Sequence, residues 1–161
     1  MKPIALHISC EHTVDIGALY IANYLQQRFC HQTEDLIKGH IEGGAQVLHL
    51  SIRSFPLELN GVKRNAGIGL LYDHTRHGER EVARIWRGLL LQQTPTYRVR
   101  MNYPYHGHSD GLHHSLRKQY TEHDYLGLEI ECNQALLETC ESRDELAQVL
   151  SSSLQELLLV L

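Results

Sequence analysis

Long apolar runs, an excess of basic residues and closely paired cysteines are all missing from this sequence. The apolar N-terminal stretch MKPIALHISCEH is interrupted by histidine, and the C-terminal LLLVL is short. Neither predicts a membrane span or a secretory leader, because a span needs about 20 apolar residues. The formal net charge of -4 also disfavours a nucleic-acid partner. We therefore expect a cytoplasmic protein with no membrane and no nucleic-acid partner.

Four cysteines without a C-x-x-C pair are typical of reduced thiols, and we expect them to pack as small buried side chains. They are Cys10, Cys30, Cys132 and Cys140. The chain has 161 residues, of which 42% are apolar and 21% charged. This is the composition of an ordinary soluble protein, and it predicts a single domain over residues 1–161 with a substantial core.

Apolar periodicity alternates along the chain between strand-like and helix-like. Short β-branched runs predict strands at 4–9, 47–52, 66–72, 97–101 and 125–132. Helical spacing predicts helices at about 15–29, 33–42, 79–93 and 112–120. A last helix is predicted from Ser142, where Ser142 and Glu145 match a capping box. Strands that alternate with helices favour one sheet with helices on both faces.

Polar clusters follow several predicted strands, and four segments are distinctive. They read HISCEH at the front, then RNAGIGLLYD, NYPYHGHSDG and YLGLEIECNQALL. Over about residues 4–140 these segments resemble the N-formylglutamate amidohydrolase family. The resemblance implies a zinc-dependent hydrolase related in fold to the carboxypeptidases. The expected architecture is a three-layer α/β/α domain of the phosphorylase/hydrolase or zinc exopeptidase type, in a trimmed form.

The resemblance also implies roles for individual residues. His12 would be a zinc ligand, with Asp15 as a possible partner. Glu131 would act as the general base, taking a proton from metal-bound water before attack on an amide carbonyl. The candidates for binding the carboxylate or carbonyl of a substrate are Arg64, Asn102 and Tyr105.

The chain departs from the family pattern in three places. Arg53 stands where the family's H-S-F-T-P motif has a metal-binding histidine, and a guanidinium repels metal ions. The motif SCEH runs directly into the family's H-x-x-x-D-x-G-A-L pattern, as if the two were fused. The family's S-R-L-x-x-D-L-N-R strand has no counterpart after Phe29. The missing segments would leave strand edges uncovered, which favours a homodimer.

Two functions are compatible with these residues. The first is a zinc-dependent amidohydrolase that cleaves the C–N amide bond of a small N-acyl amino acid such as N-formylglutamate. The second is a non-catalytic relative that has lost its metal site and binds a small acidic molecule through Arg53 and Arg64. Arg53 is the residue that discriminates between them.

Structural interpretations of the same residues remain open. Glu129 and Glu131 share one strand face, where repulsion between them would mark a site, but solvated strand-edge glutamates are the alternative. His49 is expected to pack in the core, and Arg64 could form a surface ion pair. The N-x-P-Y loop could satisfy its own amides. One group of histidines shows no ligand geometry and is expected to bind metal only adventitiously: His106, His108, His113 and His114.

Overall fold

The computed structural model describes residues 2–9, 16–29, 34–107 and 111–161. The main sheet within these ranges contains β1 (Ile4–Ser9), β2 (Gln46–Phe55), β5 (Ile68–Leu71), β6 (Val99–Met101) and β7 (Tyr125–Asn133). A separate hairpin consists of β3 (Glu58–Leu59) and β4 (Val62–Lys63). The helices are α1 (Ile16–Phe29), α2 (Glu34–Glu42), α3 (His77–Gln93), α4 (Gly111–Gln119) and α5 (Cys140–Val160), with a 3-10 turn at Gln134–Leu137.

The sheet has the strand order β1-β2-β7-β5-β6. Strands β1, β2 and β7 run parallel, while β5 is antiparallel to β7 and parallel to β6. The carboxyl ends of three neighbouring strands therefore lie together at one end of the sheet, which is where α/β proteins commonly bind ligands. This arrangement confirms the predicted α/β class.

The two faces of the sheet differ in chemistry. One face is apolar and packs against α1, α3 and α5 in the main core, because alternate residues of each strand point to the same side. The other face is covered in part by α4 and α2, which bury Ile37, Leu116 and Tyr125 in a smaller apolar cluster. Around that cluster this second face bears polar side chains, and Tyr125 belongs to both groups because its ring packs in the cluster while its hydroxyl bonds to polar neighbours. We call it the polar face: His7, Ser9, His49, Ser51, Arg53, Tyr125, Glu129 and Glu131.

Several element boundaries differ from the prediction, and two of them have a clear physical cause. Strand β2 continues past Ile52 to Phe55, because β7 extends beside it and pairs as far as Asn133. Helix α5 begins at Cys140 rather than Ser142. Thr139 is the N-cap, and its side chain accepts a hydrogen bond from the Ser142 amide, so Ser142 occupies the third helical position of the capping box.

Smaller features follow the sequence closely. Asn60 and Gly61 form the tight turn of the β3–β4 hairpin, with φ values of 52° and 75°. Cys132 is buried as expected, whereas Cys140 is exposed at the start of α5, so that prediction was wrong for Cys140. Cys10 and Cys30 lie outside the described residues. Among the described helices, none combines the length and apolar character that a bilayer span requires.

Candidate functional site

The centre of the polar face is a closed ring of hydrogen bonds. The Tyr125 hydroxyl lies 2.8 Å from Nδ1 of both His49 and His113. His49 Nε2 lies 2.8 Å from Ser9 Oγ, and His113 Nε2 lies 2.8 Å from Ser51 Oγ. The two serine oxygens are 3.0 Å apart and close the circle. We call this group the buried ring: Ser9, His49, Ser51, His113 and Tyr125.

The number of protons in the buried ring equals the number of its bonds. Two neutral imidazoles, two serines and one tyrosine supply one proton each, and five contacts need one proton each. Each member therefore donates once and accepts once, and the bonds all run in one direction around the circle. Either direction satisfies every group. An additional proton on an imidazole would leave one hydroxyl proton without an acceptor in the ring, because six protons would share five contacts.

Burial reinforces this preference for neutral histidines. His49 and His113 are fully buried and their ring centroids are 4.3 Å apart. Desolvation, followed by the neighbouring His7 and Arg117, lowers the pKa of His49 to about 3. Burial lowers the pKa of His113 well below its usual value, and His49, Arg117 and Arg53 act in the same direction.

The connection Ser9–His49–Tyr125 has the order of a nucleophile, a base and an orienting group. His49 is fully buried, both of its ring nitrogens are bonded within the ring, and burial lowers its pKa, so it is poorly suited to act as the base for Ser9. The buried ring is therefore a structural element that fixes side chains, and it confirms the packing role predicted for His49.

A second polar network fixes α4 against β7. Arg117 donates to both carboxylate oxygens of Glu79 at 2.9 Å and to the Gly127 carbonyl at 2.8 Å. Glu79 in turn accepts from the Gly127 amide at 3.0 Å. The pairing of β7 with β5 ends opposite Glu129. At Gly127, the backbone amide and carbonyl of β7 therefore bond to the Glu79 and Arg117 side chains instead of to β5. His113 and Arg117 lie one helical turn apart, so both networks hold the same face of α4.

Arg53 and Glu129 form an ion pair on the polar face, between the buried ring and the carboxyl ends of the strands. Arg53 Nε lies 3.4 Å from Glu129 Oε2, and Arg53 stands beside Glu131 in the β2–β7 register. Glu129 is 6% exposed and Glu131 is 3% exposed. Glu129 and Glu131 are therefore not solvated strand-edge glutamates, and that alternative is wrong. Strand β7 is an inner strand, with β2 along one edge and β5 along the other.

The zinc that the resemblance implies was tested against the residues present. His12 and Asp15 lie outside the described residues. Within the part of the chain that the structure describes, no group of three or more His, Cys, Asp or Glu side chains could hold a metal ion. The Glu129 carboxylate already faces the Arg53 guanidinium, which would repel a divalent ion. The described donor set does not fit a metal.

A pocket of about 560 Å³ opens where β7 ends and β5 begins. Its lining contains three cationic side chains and no Asp or Glu: Lys63, Arg64 and Arg98, with Asn133, Thr96 and Tyr97 among the neutral ones. The Arg64 guanidinium lies 5.2 Å from the centre of the Tyr105 ring and donates to its hydroxyl at 3.3 Å. It also lies 5.8 Å from the Phe55 ring centre. These contacts orient Arg64 without neutralising its charge.

The loop residues predicted to bind substrate have different surroundings. Asn102 Oδ1 accepts from the Tyr72 amide at 3.0 Å and from the Gly107 amide at 3.4 Å, so this side chain bonds to backbone amides on both sides of the loop. Tyr105 is 45% exposed beside Arg64. His113 belongs to the buried ring rather than to a metal-binding group, and His108 lies outside the described residues.

The buried ring was not predicted from the sequence. Its signal is the alternation of polar residues within otherwise apolar strands, as in His49, Ser51 and Arg53 of β2. Polar side chains at every second position indicate one polar sheet face. The contribution of His113 from α4 has no comparable signal, because it depends on where the helix docks.

Comparisons with known proteins support the fold. No known family model matches the chain, and no curated protein sequence matches it. The structure of gene product Atu2144 from Agrobacterium tumefaciens is similar, with a TM-score of 0.67 at 17% identity over 94% of this chain and 90% of that one. The amidase AmiC2 of Nostoc punctiforme, an N-acetylmuramoyl-L-alanine amidase, has a TM-score of 0.53 at 12% identity, covering 94% and 96% of the two chains.

An N-formylglutamate amidohydrolase from Ralstonia eutropha JMP134 is also similar in structure. Its TM-score is 0.56 at 21% identity over 74% of this chain. The match covers 46% of that enzyme, so this chain spans less than half of it. At these identities the comparisons establish a shared α/β fold of the amidohydrolase and amidase type, with a central sheet flanked by helices.

Proposed function

We propose that this protein binds a small acidic molecule, of the size of an N-acyl amino acid, on an amidohydrolase-type scaffold. The pocket lined by Lys63, Arg64 and Arg98 is the observation on which the proposal depends. Three cations line the pocket, while Glu58 lies opposite Lys63 in the β3–β4 pair and Glu145 contacts Tyr97, so the described cations outnumber these carboxylates and favour an anionic ligand. Asn133, at the end of the polar face, also lines this opening, and its side chain is held there by the Ala66 carbonyl and the Ala135 amide.

Arg64 is the residue we assign to the ligand carboxylate. Its guanidinium is held between the Phe55 and Tyr105 rings, so little side-chain freedom is lost when it binds. A planar guanidinium can donate two parallel hydrogen bonds to a carboxylate. Arg53, which the sequence also suggested for this role, faces Glu129 and is less suited to an acidic ligand.

Hydrolysis of an amide bond is the second candidate function. The buried Glu131 favours it, since a carboxylate on the polar face could accept a proton from an attacking water. The similarity in fold to structures described as amidohydrolases and amidases is a further reason to test it. We place binding first because a guanidinium, Arg53, stands where the resemblance implies a metal-binding histidine.

Calorimetric titration with N-formylglutamate tests the first function. Wild-type protein should bind it, and Arg64→Ala should bind at least 10-fold more weakly, because a hydrogen bond to a charged group contributes about 1.5–3 kcal/mol. Arg84→Ala is the matched control, since Arg84 is exposed on α3 and pairs with Glu81 away from the pocket lining. Equal affinity for wild type and Arg64→Ala would exclude the assignment of Arg64.

The same samples decide between binding and hydrolysis. Release of formate or glutamate from N-formylglutamate, measured with and without added zinc chloride, would establish the hydrolase. Binding without any product in either condition supports the non-catalytic function. Loss of the product in Glu131→Gln, with binding retained, would assign the general base.

A further inference from the structure

The pocket beside Arg64 is lined by apolar side chains as well as by cations. Its apolar members are Leu57, Ala66, Ala135 and Leu136. Leu57 is a large apolar side chain and is nevertheless 39% exposed. Small-molecule pockets commonly combine apolar walls with a few polar groups that orient the ligand. The cations alone therefore do not describe the ligand that this pocket fits.

Gly67 lies in the lining between the side chains of Leu136 and Tyr97. A Cβ at this position would stand 3.3 Å from Leu136 Cδ1 and 3.6 Å from Tyr97 Cβ. Because glycine has no Cβ, the pocket keeps room between these two side chains that even a methyl group would occupy. We call this part of the pocket the apolar slot: Gly67, Tyr97 and Leu136.

The backbone around the apolar slot is fixed by hydrogen bonds. The Gly67 amide donates to the Arg98 carbonyl at 2.9 Å, and the Gly67 carbonyl accepts from the Asn133 amide at 2.9 Å. Leu136 belongs to the 3-10 turn Gln134–Leu137 and packs against the main core. The slot is therefore formed before a ligand arrives, so little conformational freedom is lost on binding.

The size of the pocket also indicates a ligand larger than N-formylglutamate. A volume of about 560 Å³ is within the range of pockets that take drug-sized ligands. N-formylglutamate is much smaller and has two carboxylates but no apolar chain. It would engage the cations and leave the apolar slot in contact with water. An apolar group joined to the carboxylate would bury that surface, which is favourable.

We propose that the ligand is an N-acyl amino acid whose acyl group is an apolar chain several carbons long. The inference rests on the proposed function, because Arg64 still binds the carboxylate. The acyl chain occupies the apolar slot, and Leu57 covers part of it. The class of ligand is thus an amphipathic carboxylic acid rather than a compact dicarboxylate.

Calorimetric titration with a series of N-acylglycines tests the inference. The series runs from N-formylglycine through N-acetylglycine and N-butanoylglycine to N-hexanoylglycine, so the charge is constant and only the apolar chain changes. Each added methylene should strengthen binding to the wild-type protein about 2-fold to 4-fold, and N-hexanoylglycine should bind at least 10-fold more tightly than N-acetylglycine.

Two variants examine the placement of the chain. Gly67→Ala narrows the apolar slot and Leu136→Ala removes one of its walls, so each should reduce the gain with chain length and change the affinity for N-acetylglycine little. If either variant does not fold, Leu57→Ser, at an exposed position, should reduce the gain in the same direction. Leu159→Ala is the matched control, because Leu159 is 86% exposed on α5 and is not in the pocket lining.

The outcomes separate this inference from the proposed function. Equal affinity for all four acylglycines, or binding of none of them, would overturn the inference, while N-formylglutamate binding that Arg64→Ala weakens would leave the proposed function intact. A gain with chain length that Arg64→Ala does not affect would contradict the assignment of Arg64 and still support the apolar slot. An undiminished gain in all the slot and Leu57 variants that fold would overturn the placement of the chain.

Discussion

Gly127 lies on β7 beneath His113, and its missing side chain leaves the space that the imidazole occupies. A Cβ at this position would stand 3.0 Å from the Tyr125 hydroxyl and closer still to His113 Nδ1. Both atoms belong to the buried ring, so they cannot move without losing hydrogen bonds. The backbone of Gly127 is fixed as well, by Glu79 and Arg117.

Gly127→Ala should therefore destabilise the protein by about 1–3 kcal/mol, the usual cost of an extra methyl group in a packed core. Gly88→Ala is the control, because a Cβ at this exposed position of α3 meets no atom within 4 Å. That change should be neutral or stabilise by up to about 1 kcal/mol, since alanine favours helix. Urea unfolding of both variants measures the difference. Similar losses in the two would contradict the role assigned to position 127.

The site shows which residue properties can be inferred from sequence and which cannot. The packing role of His49 follows from its place within an apolar strand. The hydrogen bonds between His49, Ser9 and Tyr125 depend on the register of three strands, which a single sequence does not specify. The predicted ligands His12 and Asp15 lie outside the described residues, so that assignment stays a prediction.

At the scale of elements, α4 is attached to the sheet mainly through polar contacts. The Arg117 side chain is 5% exposed and its partner Glu79 is fully buried. The remaining apolar contacts of α4 are few, with Leu116 as its buried member of the smaller cluster. A helix held in this way depends on its ion pair more than a helix with a full apolar stripe would.

Arg117→Ala should destabilise the protein by about 3–5 kcal/mol, because it leaves the Glu79 carboxylate buried with reduced compensation. Arg76 Nε remains 3.4 Å from a carboxylate oxygen of Glu79 and compensates part of its charge. We therefore expect a loss of stability toward the lower end of that range. Arg84→Ala removes an exposed ion pair with Glu81 and should leave the unfolding midpoint unchanged. A loss below about 1 kcal/mol for Arg117→Ala would show that α4 does not need this contact.

Element positions were predicted well where apolar periodicity decides them, and less well at their ends. The predicted range 79–93 lies within α3, and the predicted strand at 4–9 coincides with β1. The end of β2 and the start of α5 were each misplaced by two or three residues. The end of a strand depends on its partner strand, and the start of a helix depends on the geometry of its cap. Apolar periodicity carries no information about either.

For the whole molecule, the buried ring makes stability depend on pH. The pKa of His49 is about 3 in the folded protein, below its ordinary value of 6.5, and the pKa of His113 is lowered too. The unfolded chain therefore binds more protons than the folded chain below pH 6.5. Folding stability is greatest above that value, falls as the pH decreases, and levels off for His49 only below about pH 3.

Each of these two histidines should reduce stability by up to about 1.4 kcal/mol per pH unit, so unfolding free energies at pH 7 and pH 5 should differ by several kcal/mol. Asp73, whose pKa is lowered from 3.8, starts to titrate only at lower pH. His7, whose pKa is also lowered by burial, adds to the dependence, so His49→Gln should lose part of it, whereas His123→Gln, at an exposed position, should keep it. Stability that is constant between pH 7 and pH 5 would mean that the ring accepts a proton after all. The single direction of its hydrogen bonds would then not hold.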